Sequence, residues 1–330
     1  MASRRLRLFC AEEVQRALPM AEAIEVMKRA FAQLSAGQAV VPLRTHLDVA
    51  RHRGTALFMP SYLPEAGRVG IKVVTLFDDN ARHGLPRIQA LIALFDGATG
   101  SPLAVMDGTA VTAIRTGAAS GAATDLLARP ESSTVAVFGA GAQGRTQLEA
   151  VAAVRPIRKA RVFDPDRASA ESFAREMGRA LGLDVEPAGS PADALRDADV
   201  VCTATTSPTP VFSDADLRPG AHINAVGSYQ PAVQELPAET VRRALVVVDY
   251  RPAALAEAGD LLVPMAQGLF GPEHVHAELG EIVAGTRPGR TSPQSITLFK
   301  SVGVAVQDLA AAVHVLARGE QLGLGTEVPW

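Results

Sequence analysis

Three glycines with the spacing G-x-G-x-x-G lie where a buried strand would meet a helix. They are Gly139, Gly141 and Gly144, preceded by the apolar run 134–138 and followed by a helical pattern over 145–154. In this context the first glycine permits a tight turn, the second lets backbone N–H groups approach a pyrophosphate, and the third allows close helix–strand packing. The motif predicts a dinucleotide site. The alternative is a tight turn that binds no ligand.

An acidic residue follows the next predicted strand, over 160–163. It is Asp164, twenty residues after Gly144. A carboxylate at this place accepts hydrogen bonds from the adenosine ribose diol and repels a 2′-phosphate, which favours NAD(H). Arg167 lies three residues further on and could neutralise a 2′-phosphate, so NADP(H) stays open. The residues predicted to contact the cofactor are Gly139, Gly141, Ala142, Gln143, Gly144, Asp164, Arg167, Thr203, Ala204, Thr205, Val226, Gly227 and Thr116.

Three cations lie in otherwise apolar stretches before the glycine motif. They are Arg44 in VPLRTHL, Lys72 in VGIKVV and Arg115 in AVTAIRTGAAS. A buried charge is unfavourable unless it is paired or faces a polar cavity, and none of the three has an acidic partner close by in the sequence. Each could instead be a snorkelling lysine or a surface arginine. Together they predict a site for a small anion, where arginine binds a carboxylate and a desolvated lysine acts as an acid near neutral pH.

The elements that would position the glycine motif alternate regularly along the chain. Apolar strands are predicted at 134–138, 160–163, 199–203, 222–226 and 245–248, with helices between them at 167–181, 191–196 and 238–243. Continuous apolar strands joined by long crossovers are typical of a parallel sheet buried on both faces. The predicted fold class is α/β, with a Rossmann-type doubly wound parallel sheet that binds NAD(P) over residues 116–301.

The remaining residues, 1–115 and 302–330, are predicted to form a second domain of α+β type. A helix is predicted over 11–36, strands at 43–49, 55–59, 70–76, 90–95 and 103–107, and an alanine- and glycine-rich helix at 109–127. A helical pattern at 302–316 is predicted to pack back against this part of the chain, and 323–330 to be a loose terminus. Asp308 in that helix fits a capping, an interhelical or a functional role.

Composition argues against several classes of function. The net charge of −3 and the absence of a Lys/Arg block give no reason to expect a nucleic-acid partner. Cys10 and Cys202 are far apart, and His274-x-His276 lacks a third ligand, so no disulfide framework and no metal site are predicted. Residues 1–9 lead into CAEE rather than an apolar signal core, and no uncharged apolar run of about 18 residues occurs. We expect a cytoplasmic protein without a membrane span.

The sequence resembles the ornithine cyclodeaminase/μ-crystallin family over almost its whole length. The stretches that carry the resemblance are VPLRTH (41–46), MPSY (59–62), GIKVV (70–74), GLP (84–86), AVMDG (104–108), TAIRTGAAS (112–120), FGAGAQ (138–143), INAVG (223–227), AGD (258–260) and FKSVG (299–303). The resemblance implies that Arg44, Lys72 and Arg115 bind the substrate carboxylate and assist proton transfer. It also implies a homodimer, in which the first domain, completed by the C-terminal helix, forms the substrate pocket and the dimer interface.

One departure from the family pattern bears on the reaction. Ornithine cyclodeaminases of this family carry an aspartate directly after the glycine of INAVG, where this chain has Ser228. A serine cannot hold an ammonium ion as a carboxylate does, and ketimine-reducing relatives tolerate a small neutral residue there. The resemblance therefore favours NAD(P)H-dependent reduction of Δ1-pyrroline-2-carboxylate and/or Δ1-piperideine-2-carboxylate to L-proline or L-pipecolate. The alternatives are an ornithine cyclodeaminase, an L-alanine or N-alkyl amino-acid dehydrogenase, and a dinucleotide-binding protein without activity.

The predicted roles follow from this reaction. Arg44 and Arg115 would hold the carboxylate, and a proton on the ring nitrogen would make the C2=N bond more electrophilic. Lys72 is the first candidate for the proton donor and Glu257 the second, although Glu257 also fits a solvated helix residue. Ser228 could hydrogen-bond substrate, water or the cofactor carboxamide, or be a simple turn residue. The ring size of the substrate and the physiological direction stay open.

Overall fold

The computed structural model describes residues 5–330, with the exception of the Ala81 side chain. Residues 1–4, which belong to the arginine-containing N-terminal segment and to the predicted first domain, lie outside the described residues. The chain forms two compact units: the first runs to Arg115 and resumes with Val304–Trp330, and the second comprises Thr116–Gly303. No helix in the described range is both long enough and apolar enough to cross a membrane.

The first unit contains a seven-stranded sheet with the spatial order β15-β1-β6-β5-β4-β3-β2. In chain order its strands are β1 (Arg5–Phe9), β2 (Thr45–Val49), β3 (Gly54–Leu63), β4 (Arg68–Phe77), β5 (Ile88–Asp96), β6 (Pro102–Asp107) and β15 (Thr326–Pro329). β1 pairs in parallel with β6, and the other neighbours pair in an antiparallel manner. The strands predicted between residues 43 and 107 are confirmed, whereas β1 and β15 were not predicted.

The helices of the first unit are α1 (Ala11–Ala17), α2 (Met20–Ser35), α11 (Ala305–Leu322) and the beginning of α3 (Gly108–Leu127). As predicted, α11 packs against this part of the chain, on α1, α2, β3 and β4. The prediction of one continuous helix over 11–36 is wrong. Pro19 has no backbone N–H and disfavours helical backbone at the residue before it, so Leu18 takes φ −132° and ψ 67° between α1 and α2.

The prediction of a loose C-terminus is also wrong. β15 pairs with β1 at the edge of the sheet, and the Glu327 carboxylate binds Arg5 at 2.6 Å and also binds Arg7. Leu324 is buried just before the strand. The local pattern did not reveal this strand because it is short and polar, and because its partner lies at the opposite end of the sequence.

The second unit contains an eight-stranded sheet in which every pair of neighbours is parallel. Its strands are β7 (Thr134–Phe138), β8 (Lys159–Phe163), β9 (Asp184–Pro187), β10 (Val200–Thr203), β11 (His222–Ala225), β12 (Leu245–Val248), β13 (Val275–Glu278) and β14 (Thr297–Lys300). Its helices, besides the rest of α3, are α4 (Ala142–Val154), α5 (Arg167–Leu181), α6 (Pro191–Leu195), α7 (Ala238–Arg243), α8 (Arg251–Glu257), α9 (Gly259–Ala266) and α10 (Leu279–Val283).

The strand order of this sheet is β13-β12-β14-β11-β10-β7-β8-β9. The direction in which successive strands are added reverses between β7 and β10, as in a doubly wound Rossmann sheet. The predicted fold class is therefore confirmed, although β9, β13 and β14 were not predicted. In such sheets ligands bind at the carboxyl ends of the strands, next to this reversal.

A single apolar core holds the glycine motif in place. Leu148 and Val151 of α4 and Phe173 of α5 are fully buried, and they belong to the same core as Val137 of β7 and Val162 of β8. The apolar residues of each helix recur on one face, and this face covers the sheet. The core thereby fixes the ends of β7 and β8, from which the glycine loop and the predicted ribose-binding acid project.

Candidate active site

The glycine loop connects β7 to α4 and is closely packed on one side. Gly139 has φ +98°, which residues with a side chain rarely adopt, and a Cβ there would lie 2.5 Å from the Ala204 carbonyl oxygen. A Cβ at Gly144 would overlap the carbonyl oxygen of Gly139. Gly141 precedes the first turn of α4, and a Cβ there would meet open space. The loop is therefore open where the N-terminus of α4 can meet a phosphate.

A cleft of about 660 Å³ lies beside this loop at the ends of β7, β8 and β10. The predicted cofactor residues that line it are Gly139, Gly141, Asp164, Ala204 and Thr205. A cleft of this size, with a glycine wall and a helix N-terminus, suits a nucleotide. The residues present therefore fit a bound NAD(H).

Asp164 lies in the cleft with its carboxylate held by the main chain. Its Oδ2 accepts the N–H of Ala140 and its Oδ1 accepts the N–H of Asp166, each at 2.9 Å. Carboxylate oxygens have further acceptor capacity, so ribose hydroxyls can still bind. Arg167 is largely exposed, pairs with Glu171 at 3.0 Å and is not one of the residues described as lining the cleft.

The remaining predicted cofactor residues are not among the residues that line this cleft. They are Ala142, Gln143 and Gly144 in the first turn of α4, Thr203 at the end of β10, Val226 and Gly227 after β11, and Thr116 in α3. The Thr116 carbonyl accepts a hydrogen bond from the buried Gln147 side chain at 3.3 Å. This bond joins α3 to the helix of the glycine motif.

Glu235, which the sequence analysis missed, joins two loops beside the cleft. Its carboxylate accepts the hydroxyl of Thr203 at 2.8 Å and the N–H groups of Thr205 and Gly227 at 2.7 and 3.0 Å. A Cβ at Gly227 would overlap this carboxylate, which explains the glycine. Burial raises the pKa of Glu235. No local signal marks this residue, because its loop carries no periodic pattern and its partners come from two different strands.

A buried ion pair supports the same loops. Lys300 Nζ and Asp260 Oδ2 are 2.8 Å apart, and both side chains are fully buried. Asp260 Oδ1 accepts the N–H groups of Glu235 and Leu236 at 2.6 and 2.8 Å, and Lys300 donates to the carbonyl of Ser228 at 2.6 Å. Asp260 and Lys300 lie in the stretches AGD and FKSVG, but their pairing was not predicted.

Two of the predicted catalytic candidates, Ser228 and Glu257, lie in the second unit. Ser228 is buried, and its hydroxyl donates to the carbonyl of Val233 at 2.5 Å. This bond closes the turn between them, while the serine oxygen can still accept a hydrogen bond from a ligand. Glu257 is half-buried and is the last residue of α8.

The first unit carries the three predicted cations, two of which meet one carboxylate. Lys72 lies in the middle of β4, opposite the buried and uncharged Met59 and Ile92 on the neighbouring strands. Its side chain is 3% exposed, and its Nζ lies 2.8 Å from Oδ2 of Asp308 on α11. The Nε of Arg115, which is also buried, lies 3.1 Å from Oδ1 of the same carboxylate. Asp308 therefore binds both cations, one with each oxygen.

The acidic partner of Lys72 and Arg115 comes from a distant part of the sequence, whereas the sequence analysis considered only acids close by. Asp308 lies 193 positions after Arg115 in the sequence, so inspection of the neighbouring residues could not find it. Of the roles considered for Asp308, the structure shows a contact between α11, β4 and α3. Its pairing also satisfies the rule that buried charges need partners.

Close packing of α11 on β4 brings this carboxylate to the lysine. A Cβ at Gly70, two residues before the lysine on the same face of β4, would lie 2.8 Å from Leu309. The Ser61 hydroxyl of β3 donates to the Ala305 carbonyl at 3.1 Å, where α11 begins. The missing side chain and this hydrogen bond set the distance and register of the helix, so that Asp308 in its first turn reaches the buried ammonium.

The guanidinium of Arg115 keeps N–H groups for a ligand. Besides the contact of Nε with Asp308, Nη1 donates to Oε1 of Gln307 at 3.0 Å. The same amide oxygen accepts the N–H of Val304 at 2.9 Å, which fixes the Gln307 side chain at the start of α11. A guanidinium has more N–H groups than these contacts use, and its terminal edge suits bidentate binding of a carboxylate.

The surroundings lower the pKa of Lys72 from 10.5 to about 8. Burial is the main cause, and the charges of Arg115 and Arg44 add to it, while Asp308 acts in the opposite direction. Arg44 is half-buried in the segment before β2. Lys72 is thus mostly protonated at pH 7, yet it releases its proton far more readily than an exposed lysine.

Two other buried titratable groups fit structural roles. The His222 ring contacts the Thr297 hydroxyl at 2.9 Å and the Asn224 amide oxygen at 3.1 Å, and burial lowers its pKa to about 3. Burial raises the pKa of Cys202 to about 12. Both groups are neutral near pH 7, which makes them unsuited to proton transfer or to nucleophilic attack.

The sequence of this two-unit chain matches one protein family over nearly its whole length. The pattern of the ornithine cyclodeaminase/mu-crystallin family matches residues 6–321. The chain belongs to this family. The Delta(1)-pyrroline-2-carboxylate reductase of Bacillus cereus, a relative, is 39% identical to the chain over 322 residues, which cover 97% of this chain and 99% of the relative.

Solved structures of ornithine cyclodeaminase/mu-crystallin relatives share the fold. The Delta(1)-pyrroline-2-carboxylate reductase of Thermococcus litoralis, in complex with NADH and L-proline, is 44% identical and superposes with a TM-score of 0.94, covering 98% of this chain and 100% of that one. An archaeal alanine dehydrogenase dimer with bound NAD is 34% identical, with a TM-score of 0.92, covering 99% of this chain and 100% of that one. The fold is therefore shared with a reductase and with a dehydrogenase.

Proposed function

We propose that this protein reduces a cyclic ketimine carboxylate, Δ1-pyrroline-2-carboxylate and/or Δ1-piperideine-2-carboxylate, to L-proline or L-pipecolate with NAD(H). The observation that carries the proposal is the buried cluster of Lys72, Arg115 and Asp308, which combines a lysine acid with an arginine able to bind a carboxylate. The similarity to two proteins named Delta(1)-pyrroline-2-carboxylate reductase supports the choice of substrate.

The basic residues are proposed to bind and orient the substrate. Arg115 binds the carboxylate through the terminal N–H groups that Asp308 and Gln307 leave unused. Arg44, whose charge acts on Lys72, adds positive charge to the same region. A carboxylate held in this way fixes the orientation of the adjacent C2=N bond, which lowers the entropy lost in the reaction step.

Lys72 is proposed to deliver the proton to the ring nitrogen. The transfer converts a buried ammonium into a neutral amine, which is the form that burial favours. The protonated C2=N bond is an iminium and accepts a hydride more readily than the neutral imine. We assign this role to Lys72 rather than to Glu257, because Lys72 lies in contact distance of the same carboxylate as Arg115.

The second unit is proposed to hold the cofactor. When bound, the reduced nicotinamide supplies a hydride, which together with the proton completes the addition across C2=N. The glycine loop and the N-terminus of α4 bind the pyrophosphate, and Asp164 binds the adenosine ribose. The segment from Thr203 to Thr205 flanks the cleft, and Glu235 keeps that segment in place.

Ser228 argues against ornithine cyclodeamination. Its side chain is neutral, is buried and is already bonded to the Val233 carbonyl. It therefore offers no carboxylate to bind the second amino group of ornithine. An alanine dehydrogenase is the second candidate, because the archaeal alanine dehydrogenase superposes over the whole chain.

A parallel assay separates these functions. The purified protein is supplied with the five- and six-membered ketimines, each with NADH and with NADPH, with L-ornithine and catalytic NAD, and with pyruvate plus ammonium or methylamine. We expect the highest kcat/KM for a cyclic ketimine with NADH, and L-proline or L-pipecolate as product by chiral chromatography. Higher kcat/KM for pyruvate, or release of ammonia from ornithine, would replace the proposal. No turnover with any substrate would leave a dinucleotide-binding protein.

Asp164 should set the preference for NADH. Replacement by asparagine removes the charge and leaves one acceptor oxygen for the N–H groups of Ala140 and Asp166, which the carboxylate accepts with separate oxygens. We expect KM for NADH to rise roughly tenfold, equivalent to about 1.4 kcal/mol, and KM for NADPH to fall. Addition of Arg167→Ala should reverse the gain with NADPH if this arginine binds the 2′-phosphate. An unchanged ratio of the two KM values in Asp164→Asn would contradict the role.

We further propose that the first unit pairs with a second copy of the chain. Phe58, Val73 and Leu91 lie in register across β3, β4 and β5, on the face opposite to Lys72. Leu91 is 46% exposed and Val69, on the same face, 38%. Phe58 and Val73 are half-buried. An apolar sheet face that carries exposed side chains favours an interface, and a twofold axis would cover both copies at once. The solved archaeal alanine dehydrogenase is a dimer, which supports pairing of two copies of this chain.

The substitution Leu91→Glu should convert this dimer to a monomer. A charge in the centre of an apolar interface is desolvated without a partner, which is strongly unfavourable. The mass is measured by size-exclusion chromatography with light scattering. Leu269→Glu, at a residue of the second unit that is 44% exposed, is the matched control and should stay dimeric. A monomeric wild type, or a dimeric Leu91→Glu protein, would contradict the proposed interface.

A further inference from the structure

We propose that Asp308 is a positioning residue of this site: its single carboxylate keeps Lys72 in the ammonium form and holds Arg115 with its terminal edge left for the substrate. The inference rests on the proposed imine reduction and adds to it a residue that touches neither substrate nor cofactor. Its basis is geometric, because each oxygen of one buried carboxylate contacts a different cation.

The charges around Lys72 make the carboxylate decisive for its proton. Asp308 on α11 is the anion in contact, whereas Arg115 on α3 and Arg44 before β2 are cations that disfavour the ammonium form. The residues opposite Lys72 on β3 and β5, Met59 and Ile92, carry no charge. If Asp308 were neutral, burial and two arginines would act on the lysine without compensation, and its proton would be lost at a lower pH.

The same carboxylate fixes the orientation of Arg115. It accepts a hydrogen bond from Nε at 3.1 Å, and the side-chain oxygen of Gln307, in the same turn of α11, accepts one from Nη1 at 3.0 Å. The two contacts, at Nε and at Nη1, hold the guanidinium plane, because rotation about the last side-chain bonds would break at least one of them. The terminal edge is then presented to a carboxylate without further loss of side-chain entropy. Asp308 thus couples the proton donor to the substrate anchor.

The substitution Asp308→Asn tests this coupling through a pH profile. In the wild type, kcat/KM for ketimine reduction should fall above a pH near 8, where Lys72 loses its proton. In Asp308→Asn, the pH above which kcat/KM falls, here called the alkaline limb of the profile, should decrease by about one unit or more. The variant should therefore be impaired far more at pH 8 than at pH 6. A purely structural role would reduce activity by the same factor at every pH, and an unmoved limb would overturn the inference.

Two further variants keep the test decisive. Gln307→Leu removes the other contact of Arg115 but leaves the partner of Lys72 in place, so KM should rise while the limb stays near pH 8. Asp308→Glu keeps the charge and should keep the limb near pH 8 with reduced kcat/KM. Thermal melting shows whether Asp308→Asn folds. If it does not, the test uses Asp308→Glu: a folded Asp308→Glu protein in which the fall of kcat/KM has moved away from pH 8 would overturn the inference.

Failure of this inference and failure of the proposed function are distinguishable. Absence of ketimine reduction by the wild type would contradict the proposed function. An active wild type whose pH limb does not respond to Asp308→Asn would contradict the role of Asp308 alone.

Discussion

Replacement of Lys72 by methionine should lower kcat for ketimine reduction by about 10²- to 10⁴-fold, the range that a positioned general acid contributes. Methionine fills a similar volume without an ammonium group, and Asp308 keeps Arg115 as its partner. The affinity for NADH should stay the same, because the cofactor cleft is lined by residues of the second unit. Steady-state kinetics and a fluorescence titration with NADH measure the two quantities separately.

If Lys72 is the proton donor, the activity should decrease as the pH rises. The proton donor must be protonated, so kcat/KM of the wild type should be level below the Lys72 pKa of about 8 and fall roughly tenfold per pH unit above it. Glu257→Gln is the comparison variant and should keep this limb. If Lys72→Met keeps both the limb and its kcat while Glu257→Gln loses them, Glu257 would be the proton donor instead.

Replacement of Arg115 by methionine should lower kcat/KM by roughly 10³-fold, mainly through KM. A charge-assisted contact to a carboxylate in a buried site contributes about 2–5 kcal/mol, and each 1.4 kcal/mol corresponds to a factor of ten. The remaining pair of Lys72 and Asp308 is electrically balanced, so the fold should persist. Initial rates over a wide range of ketimine concentration separate KM from kcat.

The same substitution should move the pH limb upward. Arg115 is one of the charges that lower the pKa of Lys72, so its removal allows the ammonium form to persist above pH 8. Arg115→Lys is the matched control, because it keeps the charge but loses the planar bidentate fork. We expect it to leave the limb near pH 8 and to restore KM only in part. A variant Arg115→Met with wild-type KM would show that the carboxylate binds elsewhere.

The two variants differ in what they change. Loss of the proton donor acts on the chemical step and therefore on kcat, whereas loss of the anchor acts first on the bound concentration of substrate. If both lowered kcat and KM in the same way, Lys72 and Arg115 would not have separate roles. Asp308, which contacts both, should show features of each.

The glycine loop of the second unit and the elements beside it could be predicted because their signals are local. The tight turn at Gly139, the close packing at Gly144 and the acid at the end of the next strand are each encoded within a few residues, and burial on both faces produces continuous apolar strands. Two predictions for the first unit were wrong, and each error has its own cause. Pro19 ends a helix whose apolar periodicity continues across it, and β15 carries no apolar pattern because it pairs at a sheet edge.

The sequence by itself determined the Rossmann fold class, the glycine loop and the acid after the next strand, and it pointed to the buried cations Lys72 and Arg115, since these follow from residue type and spacing. Only the tertiary structure decided that Asp308 meets Lys72 and Arg115, and that Glu235 binds Thr203 and Thr205. The physical reason is the range of the interactions. Backbone conformation and the periodic pattern of buried residues depend on neighbours in the chain. A buried charge instead pairs with a residue that packing has brought close from a distant part of the sequence.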